Sequence, residues 1–101
     1  MEQVRVGRCY ELAWRYLKDL AKEKGAGTKA FLVHGTVIGG IPTRTIQHAW
    51  VEFGEKVYEP QSGDVMNKRE FYRVFKAVSL KVYPTEKALV NAVLWKTYGP
   101  W

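Results

Sequence analysis

Three residues in this chain could together carry out nucleophilic catalysis: Cys9, His48 and Glu59. A cysteine thiolate is a strong nucleophile, and Cys9 is the only cysteine in the chain. A histidine next to the thiol can accept its proton, and a carboxylate behind the histidine orients the imidazole and stabilises its charged form. These residue types predict attack on a carbonyl carbon, provided that the fold brings them together.

A predicted hairpin explains how His48 and Glu59 could meet. Two β-rich runs lie on either side of Gly54, and glycine at the first of two loop positions is typical of a type II′ turn. Such a turn pairs Phe53 with Lys56. Each residue further from the turn on one strand then pairs with the corresponding residue on the other strand. In that register His48 and Glu59 are diagonal neighbours on one face of the hairpin, within reach of a side-chain hydrogen bond.

Other residues on the same face are possible partners of His48. Gln61 follows Glu59 by two residues and is a second candidate for holding the imidazole. Glu52 lies four residues along the strand from His48, at about 13 Å, which is too far for contact. Trp50 lies between them and is interpreted as a structural residue beneath the histidine.

The segment that carries Cys9 is predicted to be a helix over residues 6–24. One face repeats at helical spacing and is apolar: Cys9, Leu12, Ala13, Tyr16, Leu17, Leu20 and Ala21. Gly25 follows, where a left-handed residue commonly ends a helix. Cys9 is therefore expected in the first turn and facing inward, where unpaired N–H groups and the helix dipole favour a thiolate.

The remaining patterns give the element order α-β-β-β-α-β-α. After the first helix come a strand over 30–38, the two hairpin strands, a short helix opened by a capping box at 67–70 and running to about Phe75, a strand over 78–82, and a final helix with Thr85 as N-cap and Gly99-Pro100 at its end. We therefore predict a single α+β domain over residues 1–101. The Cys-bearing helix packs on a mainly antiparallel sheet, and two short helices follow toward the C-terminus.

The composition indicates the size of the core and the cellular compartment of the protein. The chain has 101 residues, of which 47% are hydrophobic and 14% aromatic, so one globular domain with a modest core is expected. The apolar runs are too short to cross a membrane, and residues 1–5 have no signal-peptide pattern. A lone cysteine cannot form an internal disulfide. These features favour a soluble, cytoplasmic protein.

The net charge of +6 leaves the kind of partner open. It permits a polyanionic partner such as nucleic acid, and basic and aromatic residues alternate over residues 68–76. At helical spacing, however, those aromatic residues are more simply a buried face, and no nucleic-acid-binding motif is recognised. Dispersed surface charge without nucleic acid is the preferred interpretation.

The order of these motifs resembles transglutaminase-like and papain-like cysteine enzymes, including small phage and prokaryotic members. The resemblance covers about residues 3–61. It is closest over the strand His48-Ala49-Trp50-Val51-Glu52 and over Val57-Tyr58-Glu59-Pro60, with Val33-His34-Gly35 as a further similarity. It implies a nucleophile at Cys9, a general base and acid at His48, and an orienting residue at Glu59, where the family usually has Asp or Asn.

The same resemblance implies an activity on peptide or amide substrates without a cofactor. Gln3 lies six residues before Cys9, similar to the interval at which papain-like enzymes place an oxyanion-hole glutamine. The backbone N–H of Cys9 is the other candidate donor. Because the chain is short, a protein partner or a homodimer could complete the substrate cleft.

Two other hypotheses stay open from the sequence. His34 is interpreted as a core histidine, but Cys9, His34 and His48 are also a chemically reasonable ligand set for zinc, although no metal-binding motif supports a metal site. Alternatively, the same fold could serve as a non-catalytic basic binding or adaptor module.

Overall fold

The computed structural model describes residues 8–25 and 29–101 and shows an α+β fold. Its elements are α1 (Arg8–Lys24), β1 (Ala30–Gly39), β2 (Arg44–Phe53), β3 (Lys56–Glu59), β4 (Asp64–Asn67), α2 (Lys68–Phe75), β5 (Val78–Pro84) and α3 (Thr85–Trp95). The strands form one antiparallel sheet in the order β4-β3-β2-β1-β5. In the part of the chain that is described, no helix is both long and apolar enough to cross a membrane.

Helix α1 follows from its amphipathic pattern. The residues buried along it are Cys9, Tyr10, Ala13, Leu17 and Leu20. Gly25 has φ +88° and its N–H bonds to the carbonyl of Ala21 at 2.7 Å, so the predicted left-handed end is confirmed. Tyr10, which was not assigned to the inner face, is also buried and lies beside Cys9 at the start of the helix.

The sheet is covered on both faces, which gives two hydrophobic clusters. Helix α1 packs on one face with Leu32, Ala49 and Val51, and Ala88 of α3 joins this cluster. Phe71 of α2 packs on the other face against a second set that contains Trp50 and residues of β1 and β3. Because side chains alternate along a strand, neighbouring residues of β2 serve different clusters.

The predicted hairpin register is confirmed. Phe53 pairs with Lys56, and Val51 with Tyr58. Gly54 has φ +61°, as the first loop position of a type II′ turn requires. Strand β3 ends at Glu59, so β2 extends past its partner at the point where it carries His48.

The predicted order lacks one strand, and the bounds predicted for the last helix are wrong. Residues 64–67 form the additional strand β4, which pairs with β3. Thr85 is the first helical residue rather than the N-cap, which is Pro84, and the helix ends at Trp95 instead of continuing to Gly99. The Thr85 hydroxyl instead donates to the carbonyl of Ala30 at 2.7 Å and thereby ties α3 to β1.

Candidate active site

The imidazole of His48 and the carboxylate of Glu59 form a buried hydrogen bond. His48 Nε2 and Glu59 Oε2 are 2.7 Å apart, and the two residues are 5% and 4% exposed. His48 lies on β2, and Glu59 is the last residue of β3. Their side chains meet there, so the diagonal contact predicted from the hairpin register is found. An imidazole held in this way has a fixed ring orientation.

Two backbone N–H groups after β3 hold Glu59 in place. Gln61 N–H donates to Glu59 Oε2 at 3.0 Å, and Ser62 N–H donates to Oε1 at 2.8 Å. Gln61 therefore supports the carboxylate through its backbone instead of holding His48 with its side chain. Both oxygens of Glu59 are engaged, which fixes the plane of the carboxylate.

Cys9 completes the arrangement from helix α1. Its side chain is hydrogen-bonded to His48 and is 5% exposed. Cys9 is the second residue of α1, so the thiol lies in the first turn as expected. The structure thus brings together the three residues that the sequence singled out, with His48 between the other two.

The charges within this group stabilise one another. Burial lowers the pKa of His48, but its hydrogen bonds to Cys9 and Glu59 outweigh burial and raise the pKa to about 9. Burial raises the pKa of Glu59, but hydrogen bonds from His48 and residues 61–62 outweigh it and lower the pKa to about 2. At neutral pH the pair is an imidazolium next to a carboxylate.

A second carboxylate positions the tryptophan beside His48. Trp50 is fully buried, with its ring centroid 6.2 Å from that of His48, and its indole N–H donates to Glu52 Oε2 at 3.0 Å. The Tyr72 hydroxyl donates to the same oxygen, and Lys68 Nζ lies 3.3 Å from Oε1. Glu52 therefore belongs to a separate network, and no local pattern predicts its contact with Tyr72 of α2.

His34 lies apart from this hydrogen-bonded chain. Its ring is packed among aromatic side chains, with centroid distances of 4.9 Å to Tyr10, 5.1 Å to Tyr83 and 5.2 Å to Trp101. Within residues 8–25 and 29–101, no three His, Cys, Asp or Glu side chains are grouped as a metal site would require. The zinc hypothesis is therefore not supported by the geometry. Gln3, the predicted oxyanion donor, lies outside the described residues.

The chain was also compared with protein-family models, with curated proteins and with solved structures, and no match was found.

Proposed function

We propose that this chain is a cysteine hydrolase or acyltransferase of the transglutaminase-like or papain-like type, acting on an amide or isopeptide bond of a peptide substrate. The observation that carries the proposal is the buried chain of hydrogen bonds from Cys9 through His48 to Glu59. Nucleophile, base and orienting acid occur in the order expected from the resemblance. The Cys-bearing helix on an antiparallel sheet is compatible with that core.

The reaction would proceed through an acyl-enzyme. The Cys9 thiolate, next to the His48 imidazolium, bonds to the substrate carbonyl carbon, and His48 gives its proton to the departing amine as the C–N bond breaks. Water or a second amine, deprotonated by the now neutral His48, attacks the thioester and releases the thiolate, which restores the starting pair. Glu59 keeps the imidazole oriented and stabilises its positive charge throughout.

The low exposure of the site suits this chemistry. Charges interact more strongly where water is excluded, so the Glu59 carboxylate stabilises an imidazolium more effectively than it would at the surface. The first turn of α1 adds the positive end of a helix dipole near the thiol, where negative charge develops on the acyl oxygen.

Alkylation by iodoacetamide tests whether the thiol is activated. Cys9 is the only cysteine, so mass spectrometry of the intact protein reports on it alone. The alkylation rate at pH 6, expressed as a fraction of the maximum rate reached at high pH, should stay high. A free thiol with a pKa of about 8.5 is almost unreactive at pH 6. Normalisation is needed because burial slows the reaction at every pH. The His48→Ala variant should follow the free-thiol profile, as should the wild-type chain unfolded in urea.

Trapping of an acyl-enzyme tests the covalent step. Incubation with 4-nitrophenyl acetate should add one acetyl group to the wild-type protein and none to Cys9→Ala. A wild-type alkylation profile identical to that of the unfolded chain, together with the absence of an acetyl adduct, would refute the proposed activity.

A further inference from the structure

A cavity of about 150 Å³ is lined by residues of α1, β1, β2 and β5 and by residues 100–101. Two residues in its lining are chain neighbours of the proposed catalytic residues, since Tyr10 follows Cys9 and Gln47 precedes His48. The side chains of Gln47 and His48 point to opposite faces of β2, so the cavity adjoins the strand that carries the imidazole but does not contain the imidazole itself. Gly35, the strand partner of His48, also lines it.

The cavity contains a buried polar side chain that has no partner. His34 is 5% exposed, and neither of its ring nitrogens has a hydrogen-bond partner among the residues that the structure describes. The surrounding aromatic rings and Gly99, where a Cβ atom would come within 2.7 Å of the imidazole, leave the ring little room to turn away. Buried polar groups are almost always hydrogen-bonded in native proteins, so an unpaired imidazole that lines a cavity indicates a missing ligand.

The charge in the cavity indicates what that ligand is. Lys81 lines the cavity, and its ammonium donates one hydrogen bond to the Trp101 backbone oxygen at 2.8 Å, which leaves two donors. Burial, and then the charge of Lys81, lower the pKa of His34 to about 4, so the imidazole is neutral at pH 7 and presents one N–H donor. An ammonium and an N–H donor together suit a carboxylate.

The size and walls of the cavity limit the rest of the ligand. Tyr10, Leu80, Pro100 and Trp101 provide aromatic and apolar surface. Apolar cavities of about this volume hold benzene, so a compact body of roughly six carbon atoms fits.

We propose that this cavity binds a small carboxylate through Lys81 and His34, and that it is the subsite for an acidic acyl donor such as an aspartyl or glutamyl residue. The assignment to a substrate rests on the function proposed for Cys9, whereas the binding of a carboxylate does not.

Benzoate and benzamide form a matched pair of probes, since they share size and shape but only benzoate is charged. Each is titrated into the intact protein at pH 7 and constant ionic strength, and the ring resonances of the two histidines are followed by NMR. Benzoate should shift the His34 resonances in a saturable manner and bind at least several-fold more tightly than benzamide.

Lys81→Gln should weaken benzoate binding by roughly fivefold, because a charge-assisted hydrogen bond is lost. Lys87→Gln, an equal change of net charge at an exposed residue away from the cavity lining, should leave it unchanged.

Alkylation kinetics then separate the two proposals. Saturating benzoate should slow iodoacetamide modification of Cys9 more than the same concentration of benzamide does. If benzoate leaves His34 unperturbed, or if Lys81→Gln and Lys87→Gln bind it equally well, the carboxylate site is refuted whatever the reactivity of Cys9. If benzoate binds but does not protect Cys9, the cavity is not the substrate subsite. An unactivated thiol in the absence of any ligand would contradict only the proposed function.

Discussion

Glu59 illustrates how the length of one side chain suits its surroundings. The carboxylate meets His48 on one side and the N–H groups of Gln61 and Ser62 on the other. Aspartate is shorter by one methylene and could not reach both the imidazole and the returning backbone from the same position. The loop that follows β3 therefore suits a glutamate at this position, because it returns two N–H groups to the carboxylate.

Glu59→Gln should destabilise the fold and lower the pKa of His48. An amide keeps the shape but loses the negative charge that hydrogen-bonds the imidazole and both backbone N–H groups, so we expect a loss of roughly 1–3 kcal/mol in the free energy of unfolding at pH 7. The pKa of Glu59 is lowered by these same groups, so its contribution is complete above pH 4.5, the ordinary carboxyl value, and is lost as the pH falls toward 2. Urea denaturation at several pH values and NMR titration of His48 measure the two effects.

Glu70→Gln is the matched control for that substitution. Glu70 also forms an ion pair, with Arg73 at 2.5 Å, but both side chains are more than half exposed to solvent. Exposed pairs contribute about 0–1 kcal/mol, so this variant should lie close to wild type. Equal losses in the two variants would show that burial of the His48–Glu59 pair does not strengthen it.

The central contact of the site could be predicted from sequence, but its surroundings could not. His48 and Glu59 are joined by a two-residue turn whose glycine fixes the register, so local chemistry determines their proximity. The N–H groups of Gln61 and Ser62 depend on how an irregular loop turns back, which no periodicity encodes. The aromatic rings around His34 come from three distant segments and leave no local signal.

At the scale of elements, Gly35 allows β1 to pack closely against the edge strand β5 and against Trp50. A Cβ atom added there would lie 2.0 Å from the Val78 carbonyl oxygen of β5 and 2.8 Å from Trp50 Cη2. The contact with Val78 involves backbone, so it cannot be relieved by moving a flexible side chain. Gly35 also pairs with His48 across the β1–β2 ladder, so any shift of this strand moves the candidate site.

Gly35→Ala should therefore destabilise the protein by about 3 kcal/mol or more, because it overpacks a fully packed junction. Gly39→Ala in the same strand is the control, since its Cβ would meet only Ile46 Cδ1 at 3.6 Å. That variant should be neutral or slightly stabilising, since alanine restricts the unfolded chain more than glycine does. Thermal unfolding of both variants provides the comparison, and similar melting temperatures would show that the sheet adapts around Gly35.

The elements themselves were predictable where a pattern was long. Helix α1 and strands β1 and β2 have ten or more residues each and periodic or β-branched sequences. Strand β4 has four residues, three of them exposed, so no buried face marked it. Thr85 resembles an N-cap by residue type, but its hydroxyl bonds to β1, a tertiary contact that overrides the local preference.

At the scale of the whole molecule, the two histidines are buried in environments of opposite sign. Burial, and then the charge of Lys81, lower the pKa of His34 to about 4. His48 lies between Cys9 and Glu59, which raise its pKa to about 9 despite burial. The ordinary histidine value is 6.5, so the two shifts act on stability in adjacent pH ranges.

The free energy of unfolding should consequently have a plateau between about pH 6.5 and 8.5. Below it, the unfolded chain protonates His34 while the folded protein does not, so stability falls between pH 6.5 and 4. Within the plateau, the proton that the folded protein retains on His48 is offset by the proton that the unfolded chain retains on the Cys9 thiol, whose ordinary pKa is about 8.5. Above the plateau the unfolded chain has lost both protons, so stability falls as the pH rises through 9. One proton limits each slope to about 1.4 kcal/mol per pH unit. Urea denaturation from pH 4 to 10 should show both slopes in the wild type. The acidic slope should be reduced in His34→Phe, and the alkaline slope in His48→Gln. Unchanged slopes in both variants would mean that neither histidine governs stability, and with it that the charged His48–Glu59 pair does not hold the candidate site together.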